Sequence, residues 1–134
     1  MNTVIVGAAI VRGGELLAQQ RDWPAAHAGQ WELPGGRVEP GESEPEALRR
    51  ECQEELDADI EVTDRVGEDV ALPGGKVLRI YAASLTSGSG EPRAVEHRAL
   101  RWLSAEDLDE VDWLPADRIL IPAMRACMRG NPLR

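Results

Sequence analysis

The 134-residue sequence predicts an α+β chain whose strands are covered by helices in α/β/α layers. Three observations carry that expectation. Val4 to Arg12 is apolar and β-branched, Gly13-Gly14 follows, and Glu15 to Arg21 reads as the returning strand of a hairpin. Ser43, with Glu46 three positions later, forms the two halves of a capping box and starts a helix that runs to about Leu56. Ile60 to Leu72 and Lys76 to Leu85 alternate as strands on either side of a Pro73-Gly74-Gly75 turn.

The remaining elements follow in order. Asp22 to Gln30 is a loop. Trp31-Glu32-Leu33 and Arg37-Val38-Glu39 are short extended pieces, punctuated by Pro34-Gly35-Gly36 and Pro40-Gly41. Pro45 is tolerated because the first helical turn leaves its N–H unused. Ser87 to Pro92 is a flexible loop and Ala99 to Leu103 a further strand. Ser104 is placed to cap a short helical turn, and Asp117 to Met128 reads as a closing helix.

Length fits one domain spanning 1–134, and 43% hydrophobic residues suffice for its core. The net charge of -9 argues against a nucleic-acid polymer as partner, because a basic surface supplies most of that affinity. It leaves a single nucleotide open, since divalent metals can bridge an acidic site to a polyphosphate. No apolar run approaches the roughly 20 residues needed to span a bilayer. Met1-Asn2-Thr3 places no basic segment before the apolar run, so a leader peptide is not expected. The expectation is a cytoplasmic protein without a membrane partner, with Cys52 and Cys127 as reduced thiols. Monomer and homodimer both remain open.

The most informative segment is Arg49-Arg50-Glu51-Cys52-Gln53-Glu54-Glu55-Leu56. On a helix, Glu51, Glu54 and Glu55 are spaced i, i+3, i+4 and share one face. Leu48, Cys52 and Leu56 form the adjoining apolar stripe, so the carboxylates border the core. Like charges at this spacing cost about 0.2–0.5 kcal/mol per pair. Acidic groups near a helix C-terminus oppose its dipole by roughly 0.3–1 kcal/mol each. A divalent cation relieves both penalties, and hard oxygen ligands suit Mg²⁺. The plain alternative is a solvated acidic face, with Arg49 and Arg50 as partial counterions.

The spacing upstream bears on that choice. Gly36, five residues, Glu42, seven residues, Arg50-Glu51, then Cys52, one residue and Glu54-Glu55 resembles the Nudix box, G-x5-E-x7-R-E-U-x-E-E-x-G-U with U apolar. The match covers 36–58. Trp31-Glu32-Leu33-Pro34-Gly35-Gly36 resembles its usual lead-in, and the flanking elements resemble the MutT-like branch over most of the chain. Two positions depart from the box. Cys52 replaces a larger aliphatic residue, and Asp57 stands where the box has a glycine ending the helix in a left-handed conformation.

The resemblance implies a Nudix fold, a mixed β-sheet sandwiched between helices. It also implies Mg²⁺, with Mn²⁺ as a substitute, held by Glu51, Glu54, Glu55 and the carbonyl of Gly35. Arg50 would orient the carboxylates through ion pairs, and Glu42 would stabilise the loop and helix start. Arg21 and Arg37 resemble positions that meet substrate phosphates; the alternative is ordinary surface arginines. Glu96 resembles a carboxylate outside the box that binds metal or orients water; the alternative is a solvated loop glutamate. His27 and His97 are read as surface or loop residues, unpaired at ligand spacing. Trp23, Trp31, Trp102 and Trp113 are read as core or rim groups in preference to base-stacking ones.

The implied reaction is (d)NTP plus water to (d)NMP plus pyrophosphate, by attack at the β-phosphorus with Glu51 as the base. Metals would polarise phosphoryl oxygens and acidify a water, since a general base alone supplies only about 10²–10⁴-fold. Within the MutT-like branch the resemblance is nearest to CTP pyrophosphohydrolases and 8-oxo-dGTP diphosphatases. Glu96 to Trp102 and Pro115-Ala116-Asp117-Arg118 carry it. A carboxylate at Asp117 can accept from cytosine N4, or it can cap the closing helix. Pro73 also fits a feature of ADP-ribose or nucleotide-sugar pyrophosphatases, although a turn explains it. A non-catalytic Nudix-fold nucleotide-binding module is the third reading, which the intact box carboxylates disfavour.

Overall fold

A computed structural model of the chain describes residues 3–129. The Gly13-Gly14 turn folds β1 (Thr3–Arg12) onto β2 (Glu15–Gln20), pairing Val11 with Leu16. Two short strands follow, β3 (Trp31–Glu32) and β4 (Gly35–Arg37), and then α1 (Glu44–Leu56). β5 (Ile60–Leu72) and β6 (Lys76–Leu85) form the second hairpin, with Leu72 opposite Lys76 across the Pro73-Gly74-Gly75 turn. β7 (Ala99–Leu103), α2 (Pro115–Ile119) and α3 (Ile121–Met128) follow, and short 3-10 turns at Ala25–His27 and Glu106–Asp109 complete the described elements.

The sheet is mixed. Its main path runs β3-β2-β1-β6-β5, with β4 added to β1 and β7 to β2. β1 and β6 pair in parallel from Thr3 and Lys76 to Ile10 and Ala83, and the other strand pairs are antiparallel. Alternation along β1 feeds two cores. Val6, Ala8 and Ile10 pack with Leu48, Cys52 and Leu56 of α1, whereas Ala9 joins Trp113, Leu120 and Met124 on the α2–α3 side. Helices therefore cover both faces, as expected. Cys52 and Cys127 belong to different cores, and burial pushes the Cys52 thiol up.

Local chemistry explains α1. Ser43 Oγ accepts the Glu46 amide at 3.2 Å, and Glu46 Oε1 accepts the Ser43 amide at 2.8 Å. Asp57 ends the helix at φ 54, ψ 42, the left-handed conformation that its position in the box demands.

One expectation is corrected. The closing helix begins at Pro115 and is broken at Leu120, because Pro122 lacks an N–H and its ring would meet the carbonyl four residues back. Of the tryptophans read as core or rim groups, Trp23 is 75% exposed in the loop between β2 and β3 and joins neither core. Trp113 is buried and donates its indole N–H to the Leu108 carbonyl at 2.7 Å, while Trp102 lies under the Arg12 guanidinium. No helix among the described residues is long and apolar enough to cross a membrane.

Candidate active site

The site forms where β4 crosses close to β1 and α1. A Cβ on Gly35 would run into the Val6 carbonyl, and one on Gly36 would run into the Glu51 carboxylate. The two glycines thus let the strand approach both the sheet and the helix. Beside them lies a cavity of about 420 Å³ lined by Gly35, Gly36, Glu51, Glu55, Arg21, Glu32, Glu96, His97 and Asp117, with an apolar wall from β1 and β6.

The three helix carboxylates are not equivalent. Glu55 is 5% exposed, and Gln19 donates to its Oε1 at 2.6 Å. Burial pushes the Glu55 carboxyl up to about 9 against that amide, and Glu51 beside it adds to the shift. Burial also raises Glu51, opposed by its contacts with Glu55 and Arg50. Glu54 lies outside the cavity lining with a side chain 54% exposed, 3.4 Å from Arg50. Arg50 reaches Glu42 at 2.7 Å, the Arg37 carbonyl at 2.9 Å and Glu51 at 3.3 Å. Glu42 in turn accepts the Glu39 amide at 2.9 Å, tying the loop to the helix start.

The donor set fits a divalent cation. Two carboxyls crowded below the surface must share a proton or gain a positive charge. Glu51 and Glu55 supply hard oxygen, as does the backbone at Gly35, and the Gly36 backbone leaves room for Glu51. Among the described residues, no group of three His, Cys, Asp or Glu side chains converges as a ready-made ligand cluster. Glu96 lines the cavity as an exposed side chain.

The other expected residues divide. Arg21 faces the cavity, held by Glu32 at 3.2 Å and by the Trp23 carbonyl at 2.9 Å. Arg37 is exposed and outside the lining, and its contact is made by its carbonyl. Asp117 is 6% exposed and lines the cavity. The cap of α2 falls at Leu114 with no side-chain cap bond, and Asp117 Oδ2 instead accepts the Leu33 amide at 3.1 Å. Its neighbourhood includes Glu32, and burial pushes its carboxyl up to about 7.

Three groups escaped the sequence reading. His97, expected as a surface or loop residue, lies in the loop before β7, but its side chain is only 11% exposed and meets Glu32 Oε2 at 2.8 Å, with its Nδ1 4.0 Å from Glu55. Its burial follows from the Arg98 amide bonding the Gln20 carbonyl, which draws the loop onto β2. Glu32 joins Arg21 to His97, and Gln19 is wholly buried behind Glu55. A polar residue two positions after Leu17, on the strand face that Leu17 buries against α1, was the available signal for Gln19.

Known proteins resemble this chain over most of its length. The family model for the NUDIX domain matches residues 1–124. A Mycobacterium tuberculosis protein carrying the provisional name 8-oxo-dGTP diphosphatase 2 is 49% identical over 134 residues, covering 98% of this chain and 94% of its own. An Escherichia coli CTP pyrophosphohydrolase is 36% identical over 128 residues, covering 96% and 95%. The solution structure of the E. coli ORF135 protein superposes with a TM-score of 0.80 at 34% identity, covering 100% of this chain and 96% of that one. A MutT NUDIX hydrolase from Burkholderia pseudomallei gives 0.74 at 34% identity, covering 92% and 98%.

Proposed function

This chain belongs to the NUDIX domain family of nucleotide pyrophosphohydrolases, and from that premise we propose that it is a Mg²⁺-dependent enzyme converting a (d)NTP to a (d)NMP and pyrophosphate. The favoured substrate is (d)CTP or a modified nucleotide such as 5-methyl-dCTP or 8-oxo-dGTP. The observation that carries this reading is one cavity lined by the buried carboxylate Glu55, the half-buried carboxylate Glu51 and Asp117. The names of the M. tuberculosis and E. coli relatives support the same substrate class. The working compartment is the cytoplasm, the partner a small nucleotide, and Mn²⁺ serves in place of Mg²⁺.

Glu51, Glu54, Glu55 and the Gly35 carbonyl would hold the metal, with Glu96 at the rim as a further ligand or water-orienting group. Bound there, Mg²⁺ neutralises the polyphosphate and acidifies a water. Arg21, already directed by Glu32 and the Trp23 carbonyl, takes a phosphate. Arg37, exposed beside the site, meets an outer phosphate. Arg50 holds Glu51 against Glu42 and the Arg37 backbone. Glu51 accepts the proton as water attacks the β-phosphorus. The bond from that phosphorus to the α–β bridging oxygen breaks, and the monophosphate departs with the bridging oxygen. The apolar wall from Ile5, Leu78 and Ile80 receives the base, and Asp117 accepts from its amino group.

Pyrophosphate release with Mg²⁺ from CTP, dCTP, 5-methyl-dCTP, 8-oxo-dGTP and ADP-ribose tests the reading. A cytidine or modified triphosphate should lead the panel, and in ¹⁸O-water the label should enter pyrophosphate. Preference for ADP-ribose would overturn the substrate class, and label in the monophosphate would overturn the point of attack.

A further inference from the structure

β2 alternates between the two cores: Leu16 and Ala18 pack toward α2 and α3, and Leu17 packs among Leu48, Cys52 and Leu56 of α1. Two residues after Leu17 the same face carries Gln19, which is wholly buried. An apolar side chain would fill that position without desolvating an amide. Gln19 is satisfied on one side alone. Its Nε2 donates to Glu55 Oε1 at 2.6 Å, whereas its Oε1 has no hydrogen-bond partner. His97 Nδ1 stands 4.0 Å from the same Glu55 oxygen, beyond hydrogen-bonding reach. Packing alone accounts neither for the amide nor for its pairing at the one end that meets a carboxylate.

We propose that Gln19 is a positioning residue for the metal site, holding Oε1 of Glu55 so that its other oxygen is presented to the cation. The inference rests on the metal-dependent reading above. An N–H donor stabilises a carboxylate that must be charged while buried, which an apolar group cannot do. It also occupies Oε1, leaving the other Glu55 oxygen as the one that would be offered to a divalent cation. Gln19 thus acts on the metal through Glu55 without touching substrate.

The test is Mn²⁺ binding to the nucleotide-free protein, titrated into the millimolar range by calorimetry, for wild type, Gln19→Met, Glu55→Gln and the double variant. Methionine keeps the unbranched length and removes the donor. Gln19→Met should weaken Mn²⁺ binding about tenfold, the low end for loss of a group that orients a metal ligand. With Glu55 already replaced, the same change should alter affinity by less than about twofold. The Mg²⁺ concentration for half-maximal turnover should rise by the same tenfold, with nucleotide KM at saturating Mg²⁺ unmoved. Wild-type Mn²⁺ affinity in Gln19→Met, or equal losses in both backgrounds, overturns the proposal. If circular dichroism shows that Gln19→Met does not fold, Gln19→Ala takes its place in the cycle. A wild type that binds Mn²⁺ yet releases no pyrophosphate from any nucleoside triphosphate sinks the substrate reading, and the binding cycle still decides the role of Gln19.

Discussion

Asp117 Oδ2 accepts the backbone amide of Leu33 at 3.1 Å, so α2 is tied to the segment leading into Gly35 and Gly36. The carboxylate therefore has a structural bond on one side and the cavity on the other. Both ends of that arrangement can be tested separately.

The structural end is read by pH. Burial pushes Asp117 up to about 7, opposed by the Leu33 amide and reinforced by Glu32. Its folded value lies above the unfolded one of about 3.9, so the folded state holds the proton more tightly. The stability it contributes is full below about pH 4 and is lost as pH rises through about 7. Three pKa units at about 1.36 kcal/mol each bound the loss at about 4 kcal/mol. Asp117→Asn should gain stability relative to wild type between pH 5 and pH 8, measured by urea melts. Parallel curves across that range would remove Asp117 from the titration.

The cavity end is read by base. At pH 8, where Asp117 is largely ionised, its replacement by Asn loses a charge-assisted contact. The kcat/KM for CTP or dCTP should fall roughly tenfold, at the low end of about 1–3 kcal/mol for a good base contact. Activity on a guanine triphosphate should hold or improve. An equal fall for both bases would assign Asp117 to the Leu33 bond alone.

Glu54 and Glu55 differ in burial but are expected to share a metal. Glu54→Gln and Glu55→Gln should each cut turnover by at least about a hundredfold, at the upper end for ligand-shell changes. The metal-free melting temperature should hold or rise slightly: Glu54→Gln removes a like-charge repulsion of about 0.2–0.5 kcal/mol, and Glu55→Gln puts a neutral amide where burial already favours the uncharged carboxyl. Near-normal turnover of Glu54→Gln at saturating Mg²⁺ would demote the exposed glutamate from essential ligand to bystander.

The two glycines separate stability from function. A Cβ at Gly35 meets backbone of Val6 and Gly7, which cannot give way, whereas one at Gly36 meets the movable end of Glu51. Gly35→Ala should lower the melting temperature by more than about 4 °C, the shift expected for loss of over 1 kcal/mol in a domain of this size. Gly36→Ala should fold nearly as wild type but lose about tenfold or more in turnover, as Glu51 is displaced by a fraction of an ångström to an ångström. Similar melting temperatures for both variants would contradict this reading of the β4 approach.

Much of the fold was legible in the sequence because its signals are local. Ser43 and Glu46 cap α1 across three residues, and the β5–β6 hairpin is written in alternation around Pro73-Gly74-Gly75. The placement of Glu51, Glu54 and Glu55 on one helix face follows from helical geometry alone. Where a local signal misled, a competing local one was decisive: Pro122 divides the closing helix.

What the sequence by itself determined is therefore the set of elements and the acidic stripe on α1. Tertiary structure alone decided which carboxylates enter the cavity, burying Glu55 and leaving Glu54 half-exposed. It also brought Gln19 to Glu55 across 36 residues and His97 to Glu32 across 65. No repeat of 2 or 3.6 residues relates such positions. Their meeting depends on β2 pairing with both β3 and β7, and on α1 packing over that sheet. The hydrogen bonds that shape the site exist because the assembled chain excludes water from them, a condition that no single segment meets.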